Sequence, residues 1–212
     1  MTGQVITVAQ QKGGSGKTTI SLNLAVALLA GRSKVALLDT DPQGSLGQWF
    51  MARRERFGDT EPDMGFRTAS AWGARYEARE LAKTHDYVII DTPPKMGVDG
   101  RPAIEAADLI IIPVTPSPLD VWATEPTLEL ATGEKKLAAF VMNRVPPRAN
   151  ISAEIRQILS ETDGKCLRSE LGNRVLYAET AAIGLGVTET RPKSVAAQEI
   201  RTLTKEIKNL LA

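Results

Sequence analysis

Residues 5–19 read VITVAQQKGGSGKTT, a short apolar and β-branched run followed by a segment rich in glycine and lysine. The run at 5–9 has the composition of a buried parallel strand. The glycines after it allow a tight turn that points consecutive backbone N–H groups inward, and a helix beginning near Lys17 adds the positive end of its dipole. The stretch therefore predicts a strand, a loop that binds a polyphosphate, and a helix.

The residue types in this loop predict separate roles. Lys17 would reach the β- and γ-phosphates, and the Thr18 hydroxyl would ligate Mg²⁺, which needs a short oxygen donor beside the phosphates. The general phosphate-loop pattern G-x-x-x-x-G-K-[ST] would place glycine at position 11, where this chain has Gln11, so only the phosphate-gripping end of that pattern is present. The predicted nucleotide contacts in the loop are Gly13, Gly14, Ser15, Gly16, Lys17, Thr18 and Thr19.

Three aspartates follow buried runs of the sequence, at the positions where open α/β sheets place ligand chemistry. Asp91 ends the run 87–90, and Asp39 and Asp41 lie in the segment 37–44, LLDTDPQG. A carboxylate at Asp41 can orient an attacking water, because phosphoryl transfer depends mainly on positioning and charge neutralisation. Asp39 would support the metal or the loop. The alternative is that Asp39 and Asp41 serve only as a helix N-cap and a turn.

The loop resembles that of the ParA/MinD family of deviant Walker ATPases, whose pattern K-G-G-x-G-K-[ST]-[ST] matches Lys12 to Thr19 residue for residue. The segment 39–44 matches the family's D-x-D-P-Q-G, and the resemblance extends over most of the chain. The proline-stiffened segment 111–120 closely resembles a loop of small plasmid-partition ParA proteins of the ParF type. In those proteins the loop lies near the nucleotide and the dimer interface, and a stiff connector is the alternative interpretation.

The second lysine of the loop is the signature of this resemblance. In the family the early lysine, here Lys12, reaches across a nucleotide-sandwiched dimer to the phosphates bound by the other subunit. The resemblance therefore implies a homodimer that forms with ATP. The implied catalytic residues are Lys12, Lys17 and Asp41.

The resemblance also assigns metal and base contacts. Asp91 resembles the acid that orders Mg²⁺ and its waters. Asn143 is placed like the residue that contacts the adenine base, to which an amide can both donate and accept, but an asparagine at a strand end is also a common turn residue. The implied metal residues are Thr18, Asp39 and Asp91.

Strands and helices are expected to alternate along the chain, which predicts an α/β fold. The expected architecture is a mostly parallel twisted sheet with helices on both faces, of the phosphate-loop NTPase type. Residues 1–212 are predicted to form a single ParA-like ATPase domain, because a chain of this length can bury one sizeable core. After the first strand and helix, strands are predicted at 34–38, 66–68, 87–90, 109–112 and 137–142, helices at 46–57, 74–83, 119–132 and 153–161, and loops at 59–65, 93–102 and 145–147.

Composition excludes several classes of protein. No apolar run approaches the about 20 residues needed to cross a bilayer, and no secretory signal precedes the first strand, so a cytoplasmic protein is expected. The single cysteine, Cys166, excludes an internal disulfide and paired-cysteine metal sites, and it is expected in a strand or in the core. The lack of an extension before the first strand argues against the larger ParA type with its own helix-turn-helix domain.

The overall charge is nearly balanced, with 26 basic and 25 acidic residues, so composition alone gives no argument for nucleic acid. From Val141 onward the chain carries 11 basic against 8 acidic residues, a weak excess of three. ParA dimers bind duplex DNA non-specifically through basic residues in this part, and such phosphate contacts steepen the salt dependence of binding. A solvated charged face is the alternative. The candidate DNA-binding residues are Arg168, Arg174, Arg201, Lys205 and Lys208.

The segment 198–212 places an apolar stripe at helical spacing, with basic residues on its other faces. We expect the stripe to dock onto the sheet. A membrane-surface helix of the MinD type is the alternative, which Glu199 and Glu206 disfavour because they dilute the positive face.

Several other residues are expected to serve packing or solvation. Trp49, Trp72 and Trp122 are interpreted as helix packing residues, although Trp122 is also placed to line an interface. The segment 53–56, RRER, is interpreted as a solvated helix face, with contact to a partner as the alternative.

These features together predict an ATP-dependent dimerising switch in the cytoplasm. ATP and Mg²⁺ would close a homodimer that holds nucleoid DNA, and hydrolysis of ATP, weak alone and stimulated by a partner, would release it. The partner is expected to be a centromere-binding protein of a plasmid or a cargo adaptor on a protein cluster. The alternatives are a membrane-surface regulator and a metabolic enzyme with a phosphate loop. Lys12 and the lack of a recognisable second-substrate site disfavour the metabolic enzyme.

Overall fold

The protein consists of a parallel sheet that is covered by helices on both faces. Its structure, a computed structural model, describes residues 3–58, 64–94, 100–147 and 151–212. The strands are β1 (Gln4–Val8), β2 (Val35–Asp39), β3 (Met64–Thr68), β4 (Tyr87–Asp91), β5 (Leu109–Val114), β6 (Leu137–Val145) and β7 (Lys165–Gly172). The helices are α1 (Lys17–Ala30), α2 (Ser45–Phe57), α3 (Ala74–Ala82), α4 (Arg101–Ala106), α5 (Pro118–Trp122), α6 (Glu125–Gly133), α7 (Ile151–Ser160), α8 (Val175–Ala181), α9 (Val187–Thr190) and α10 (Val195–Leu211). The predicted fold class is confirmed.

The strand order places the phosphate loop at the centre of the sheet. The seven strands lie in the order β3-β2-β4-β1-β5-β6-β7, and all neighbouring strands are parallel. β1 therefore lies between β4 and β5, and the loop between β1 and α1 opens at the carboxyl edge of the sheet. Side chains that end β2, β4 and β6 meet at the same edge, where open α/β sheets bind ligands.

Successive residues of the central strands pack into cores on opposite faces. Ile6 and Val8 of β1 contact the core formed with α1, α2 and α10, whereas Val5 packs with α3 on the other face. Because both faces are covered, β2 and β5 are buried along their whole length. This double burial explains why the central strands read as continuous apolar runs in the sequence.

Two predicted elements differ from the structure. The predicted helix 119–132 is two helices, α5 and α6, which are separated by Ala123 and Thr124. Pro126 lies in the first turn of α6, where its missing N–H is tolerated, but it cannot continue a helix from α5. Helix α4 begins inside the predicted loop 93–102, and residues 59–63 and 95–99 of the predicted loops lie outside the described residues.

Strand β7 is an edge strand that the sequence pattern did not reveal. Its residues alternate between buried and more exposed, and its pairing with β6 shifts register twice. At this irregularity Glu206 of α10 accepts hydrogen bonds from the backbone N–H groups of Arg168 (2.8 Å) and Ser169 (2.9 Å), while Arg156 of α7 donates to the carbonyls of Leu167 and Arg168. Two helices thus cover backbone groups that an edge strand would otherwise offer to another chain.

The expected solvated face at 53–56 is wrong for its first residue. Arg53 is 1% exposed and donates to both carboxylate oxygens of Glu189, at 2.9 and 2.7 Å, and to the Gly184 carbonyl. The packing interpretation is confirmed for buried Trp49 and is wrong for Trp72, which is 83% exposed. Trp72 lies in a 3₁₀ turn before α3, where most of its surface is exposed.

Helix α10 docks its apolar stripe as expected. Ile200, Leu203 and Ile207 are buried against the core that contains α1, and Cys166 lies half-buried on the adjacent strand β7. Within the described ranges, no helix has the length and apolar character needed to cross a bilayer.

Candidate nucleotide-binding site

The glycines of the phosphate loop hold a backbone that other residues would strain. Gly14 has φ +75° and Gly16 has φ +92°, both in the left-handed region that favours glycine. A Cβ atom at Gly16 would also lie 2.2 Å from Nδ2 of Asn143. The hydroxyl of Ser15 is buried and has no hydrogen-bond partner among the described residues. The loop is therefore a preformed turn that retains an unsatisfied polar group, as expected of a cradle for an anion.

Gln10 fixes the start of this loop, a role that the sequence analysis missed. Its side chain is fully buried, and its Oε1 accepts hydrogen bonds from the backbone N–H groups of Gln11 (2.7 Å) and Lys12 (3.4 Å). Its Nε2 donates to the Pro113 carbonyl of β5 at 3.4 Å. A polar residue just after a buried strand, three positions before the first glycine of the loop, is the signal that could have identified it.

Asn143 lies directly against the loop. Its Nδ2 donates to the Ser15 carbonyl at 2.7 Å, and its side chain is 4% exposed. The structure thus ties the end of β6 to the phosphate loop through this amide, while the Asn143 Oδ1 atom makes no hydrogen bond to the described residues. Contact of Asn143 with the adenine base stays a prediction.

A cavity of about 570 Å³ opens two residues beyond Asn143 on the same strand. It lies where the chain leaves β6 and β7, and Ser152 of α7 contributes a buried hydroxyl without a partner among the described residues. Its walls include the paired side chains of Arg156 with Glu170 and of Arg174 with Glu199.

The side chain of Lys17 is largely buried. The side chain is 7% exposed, and none of the described residues accepts a hydrogen bond from its Nζ. Burial lowers the Lys17 pKa, and the nearby carboxylates of Asp91 and Asp41 partly oppose that effect. A cation on a largely buried side chain, with no hydrogen-bonded partner among the described residues, gains a charge-assisted partner when an anion binds, so this position favours a phosphate ligand.

Asp91 ends β4 beneath the loop. It accepts hydrogen bonds from the hydroxyls of Thr18 (2.6 Å) and Ser21 (3.0 Å), and it is 1% exposed. Burial raises the Asp91 pKa to about 7, with the charge of Asp39 adding to the rise and the two hydroxyls and Lys17 opposing it. The Ser21 hydroxyl also lies 3.0 Å from the Lys17 carbonyl, so Ser21 can donate there and accept from a protonated Asp91.

These oxygens fit Mg²⁺ as it is usually held at a phosphate site. The Thr18 hydroxyl donates a hydrogen bond to Asp91 and keeps its lone pairs for a metal. Asp91 would then orient the hydroxyl without contacting the metal itself. Among the described residues, no cluster of three or more His, Cys, Asp or Glu side chains is arranged to hold a metal. A metal here would therefore depend on Thr18 and the phosphate oxygens, as expected for Mg²⁺.

Asp39 and Asp41 organise the segment that follows β2. The Asp39 carboxylate accepts from the backbone N–H groups of Asp41 (3.0 Å) and Gly47 (3.0 Å), and its burial raises the Asp39 pKa. Asp41 Oδ1 accepts from the Gln43 N–H at 2.9 Å, which forms a turn. The geometry favours the loop-supporting role of Asp39. Asp41 keeps its second oxygen free of hydrogen bonds to the described residues, as a water-positioning group requires.

Lys12 is placed differently from Lys17. Its Nζ forms an ion pair of 2.8 Å with Asp120 of α5, and 42% of the Lys12 side chain is exposed. Burial opposes ionisation of Asp120, but hydrogen bonds from Lys12, Thr115 and Ser117 outweigh it and lower the Asp120 pKa. The two lysines of the loop therefore differ in exposure: Lys17 is largely buried, and Lys12 lies at the surface.

The structure does not bring the five candidate DNA-binding residues onto one face. Arg174 is paired with Glu199 at 2.6 Å, and Arg168 lies on β7 beside Glu206. Helical spacing places the basic residues of α10 on the side opposite Glu199 and Glu206. This second group consists of Arg201, Lys205 and Lys208, of which Arg201 donates to the Pro192 carbonyl and Lys208 lies 5.7 Å from the Tyr87 ring centre.

Residues 6–187 match the CbiA family model, which is described as the CobQ/CobB/MinD/ParA nucleotide binding domain. The chain belongs to this family. It is a ParA/MinD-type ATPase, and the predicted family is confirmed.

Relatives of this ParA/MinD-type protein match it along nearly all of its length. The chain is 34% identical to the maintenance of carboxysome distribution protein A of Halothiobacillus neapolitanus, over 95% of each chain. Among solved structures, MinD of Pyrococcus horikoshii with Mg-ADP has a TM-score of 0.82 and 19% identity, covering 98% of this chain and 96% of that one. An ATP complex of a McdA variant from Cyanothece has a TM-score of 0.79 and 17% identity, covering 99% and 96%. The structural likenesses establish a shared fold.

Proposed function

We propose that the protein is an ATP hydrolase that dimerises with ATP, binds duplex DNA without sequence preference and positions a cargo through cycles of hydrolysis. The observation that carries this proposal is the opposite placement of the two lysines of one loop. Lys17 is buried and has no hydrogen-bonded partner among the described residues, while Lys12 is half exposed at the rim. One lysine suits phosphates bound in the same subunit, and the other suits phosphates of a second copy.

The chemistry is hydrolysis of ATP to ADP and phosphate. Lys17 and the loop N–H groups would hold the phosphates, and Asp41 would orient the attacking water. Thr18, with Asp91 behind it and Asp39 supporting the adjacent segment, would hold Mg²⁺. Bound Mg²⁺ supplies neutralisation of the charge on the β- and γ-phosphate oxygens. The remaining loop contacts would be Gly13, Gly14, Ser15, Gly16 and Thr19.

The base would lie beyond the end of β6. Asn143 Oδ1 faces no described partner, and the cavity of about 570 Å³ begins two residues further along the strand. Together they offer an amide acceptor beside a space of suitable size for a nucleoside.

Dimerisation would bring the carboxyl edges of two sheets together across the nucleotides. Large apolar side chains are exposed after strands that end at this edge, including Leu119 (65%) after β5 and Trp72 (83%) after β3. Exposed apolar groups around a ligand site favour a protein interface. Lys12 would then leave Asp120 and contact the partner's phosphates, with the whole chain 1–212 acting as one ATPase domain.

The cargo is proposed to be a protein cluster. A relative with 34% identity over 95% of the chain is named for carboxysome distribution, which favours a cargo adaptor as the stimulating partner over a plasmid centromere-binding protein. Binding to the nucleoid would place the protein in the cytoplasm.

DNA contacts are assigned to Arg201, Lys205 and Lys208. Arg174 is left out because it is paired with Glu199, and Arg168 because it lies beside Glu206, on the opposite side of α10.

The proposal is tested by binding of the Asp41→Ala protein to random-sequence duplex DNA with ATP, with ADP and without nucleotide, over a salt series. We expect binding only with ATP, falling steeply as salt rises, because loss of the Asp41 carboxylate should leave nucleotide binding intact and slow hydrolysis. Lys12→Ala in the same background is the matched control and should abolish binding. Binding that is equal in all nucleotide states would contradict the switch.

A second candidate is a phosphate-loop enzyme that acts on a small molecule. A cavity of about 630 Å³ lies beside Asp39 and Asp41, partly lined by the ends of β3 and β4, and it has room for a second substrate. ATP turnover that rises with a small carboxylic acid, and not with DNA and a partner protein, would favour this candidate.

A further inference from the structure

The chain between α8 and α9 packs directly against two helices of the nucleotide site. This stretch, residues 184–189, is named segment 184–189 below. Gly184 has φ +72°, and a Cβ atom there would lie 2.3 Å from the backbone nitrogen of Arg53 in α2. A Cβ atom at Gly186 would lie 2.9 Å from a methyl carbon of Val26 in α1. The backbone of the segment is therefore in close contact with both helices.

Directional hydrogen bonds join this segment to α2. Arg53, which is 1% exposed, donates to both carboxylate oxygens of Glu189 and, at 3.2 Å, to the Gly184 carbonyl. The Trp49 Nε1 atom donates to the Leu185 carbonyl at 3.3 Å. Because each of these bonds has a preferred direction, they fix the position of α2 on the segment more closely than apolar contacts would. A shift of α2 would therefore move the segment.

Both helices that the segment contacts begin at the nucleotide site. α2 follows the residues around Asp39, whose carboxylate accepts a hydrogen bond from the Gly47 N–H in the first turn of that helix. α1 follows the phosphate loop, and its Asn23 side chain donates to the Thr19 carbonyl at 2.8 Å and accepts from the Val187 N–H at 2.9 Å. The segment is thus connected to the phosphate loop and to the residues that follow β2.

The same segment leads into α10. Val187 is fully buried in one core with Ala197 of α10. Residues 191–194 alone separate α9 from α10, and the Arg201 side chain donates to the Pro192 carbonyl within them at 2.6 Å. A displacement of the segment would therefore move the start of α10.

We propose that segment 184–189 carries the effect of a bound nucleotide from α1 and α2 to the basic face of α10. This role rests on the proposed function, because α10 carries the proposed DNA contacts. Packing alone would not require the buried ion pair, since apolar residues of similar volume are often as stable in its place. The Thr188 hydroxyl is buried without a partner among the described residues, so a second arrangement of the segment has a hydrogen bond to gain.

The first test compares Arg53→Met with Arg54→Met in the otherwise unchanged chain. Arg54 is exposed and forms no ion pair within the described ranges, so this matched control makes the same chemical change away from the segment. Hydrogen exchange is followed at residues 195–201 of α10, with and without a non-hydrolysable ATP analogue and Mg²⁺. The analogue should change the exchange rate there by about threefold or more in the wild type and in Arg54→Met, and should leave it unchanged in Arg53→Met.

Binding to random-sequence duplex DNA is the second measurement. The wild type and Arg54→Met should bind more tightly with the analogue than with ADP, and in Arg53→Met that ratio should fall by about tenfold or more. Affinity for the analogue without DNA should stay within about threefold, because no nucleotide contact is changed. Glu189→Gln, at a side chain that is 28% exposed, keeps the volume and should show the same loss if Arg53→Met does not fold.

The outcomes separate this coupling from the proposed function. No change of exchange in wild-type α10, or an equal change in Arg53→Met, would overturn the coupling. Loss of the analogue-dependent dimer in Arg53→Met, measured by sedimentation, would assign the segment to assembly and overturn the coupling as well. DNA binding by the wild type that is equal with the analogue and with ADP would contradict the proposed function, and hydrogen exchange would then decide the coupling alone.

Discussion

At the scale of the residue, the ionisable groups of the site lose contact with water on folding and gain too few polar partners to offset that loss. Lys17 lacks a hydrogen-bonded partner among the described residues, and the carboxyl of Asp91 is buried deeply enough that its pKa rises to about 7. Such groups lower stability in the free protein and become favourable when a ligand of opposite charge arrives. These groups therefore favour ligand binding and lower the stability of the protein without its ligand.

Asp91→Asn should stabilise the protein when nucleotide and metal are absent. The folded pKa of about 7 lies above the ordinary 3.8, so the wild type must ionise a buried carboxyl as pH rises, and its stability falls between about pH 4 and 7. Above pH 7 that penalty is complete. We expect the free energy of unfolding at pH 8 to rise by about 1–3 kcal/mol in the variant, less than the full pKa difference allows.

Urea denaturation in a metal chelator, at pH 6 and pH 8, would measure this effect. The wild type should lose stability between the two pH values by more than the variant does. Magnesium-dependent ATP turnover should be lost in the same variant. An Asp91→Asn protein that is less stable than the wild type at pH 8 would contradict the interpretation.

At the scale of the element, the sequence pattern predicted the strands and loops whose conformation depends on neighbouring residues in the chain. The phosphate loop and the strands β1, β2, β4, β5 and β6 follow from apolar runs and glycines close together in the chain. Arg53 was misjudged because its partner Glu189 lies 136 residues away, and β7 was missed because its bulge is completed by Arg156 and Glu206 from two helices. Neither pairing leaves a signal in the neighbouring sequence.

The contact between α10 and β7 should depend on pH through Glu206. Burial opposes ionisation of Glu206, but hydrogen bonds from Ser169 and from the Arg168 and Ser169 N–H groups outweigh it and lower the Glu206 pKa. A depressed pKa contributes stability above about pH 4.5, and this contribution is lost as pH falls through the folded value. Glu206→Gln should therefore lower the free energy of unfolding by about 1 kcal/mol at pH 7, since the group is partly screened by solvent.

Denaturant midpoints of the wild type and Glu206→Gln, compared from pH 7 to pH 3, would check this prediction. The difference between the two should shrink as the solution becomes acidic. Glu179→Gln, a change at an exposed acid with no side-chain hydrogen bond to the described residues, is the control and should match the wild type throughout. A constant difference at all pH values would argue against the carboxylate.

At the scale of the whole molecule, the proposed association of two copies would require Lys12 to leave its ion pair with Asp120. Asp120→Asn keeps the Ser117 contact but weakens the hold on Lys12, so the ATP-bound dimer should become about two- to fivefold tighter, which is the range of a partly exposed ion pair. Lys12→Ala should remain monomeric with ATP. Sedimentation of both variants with ATP and with ADP would measure the effect, and a weaker dimer in Asp120→Asn would refute this requirement.

The covered edge of β7 has a consequence for many copies held close together. If the protein gathers on the nucleoid as proposed, its local concentration there far exceeds that in free solution, and any bare strand would invite neighbours to extend one another's sheets. Glu206 and Arg156 occupy those backbone groups within each copy. At this part of β7, crowded copies would therefore find no free backbone groups through which to join their sheets.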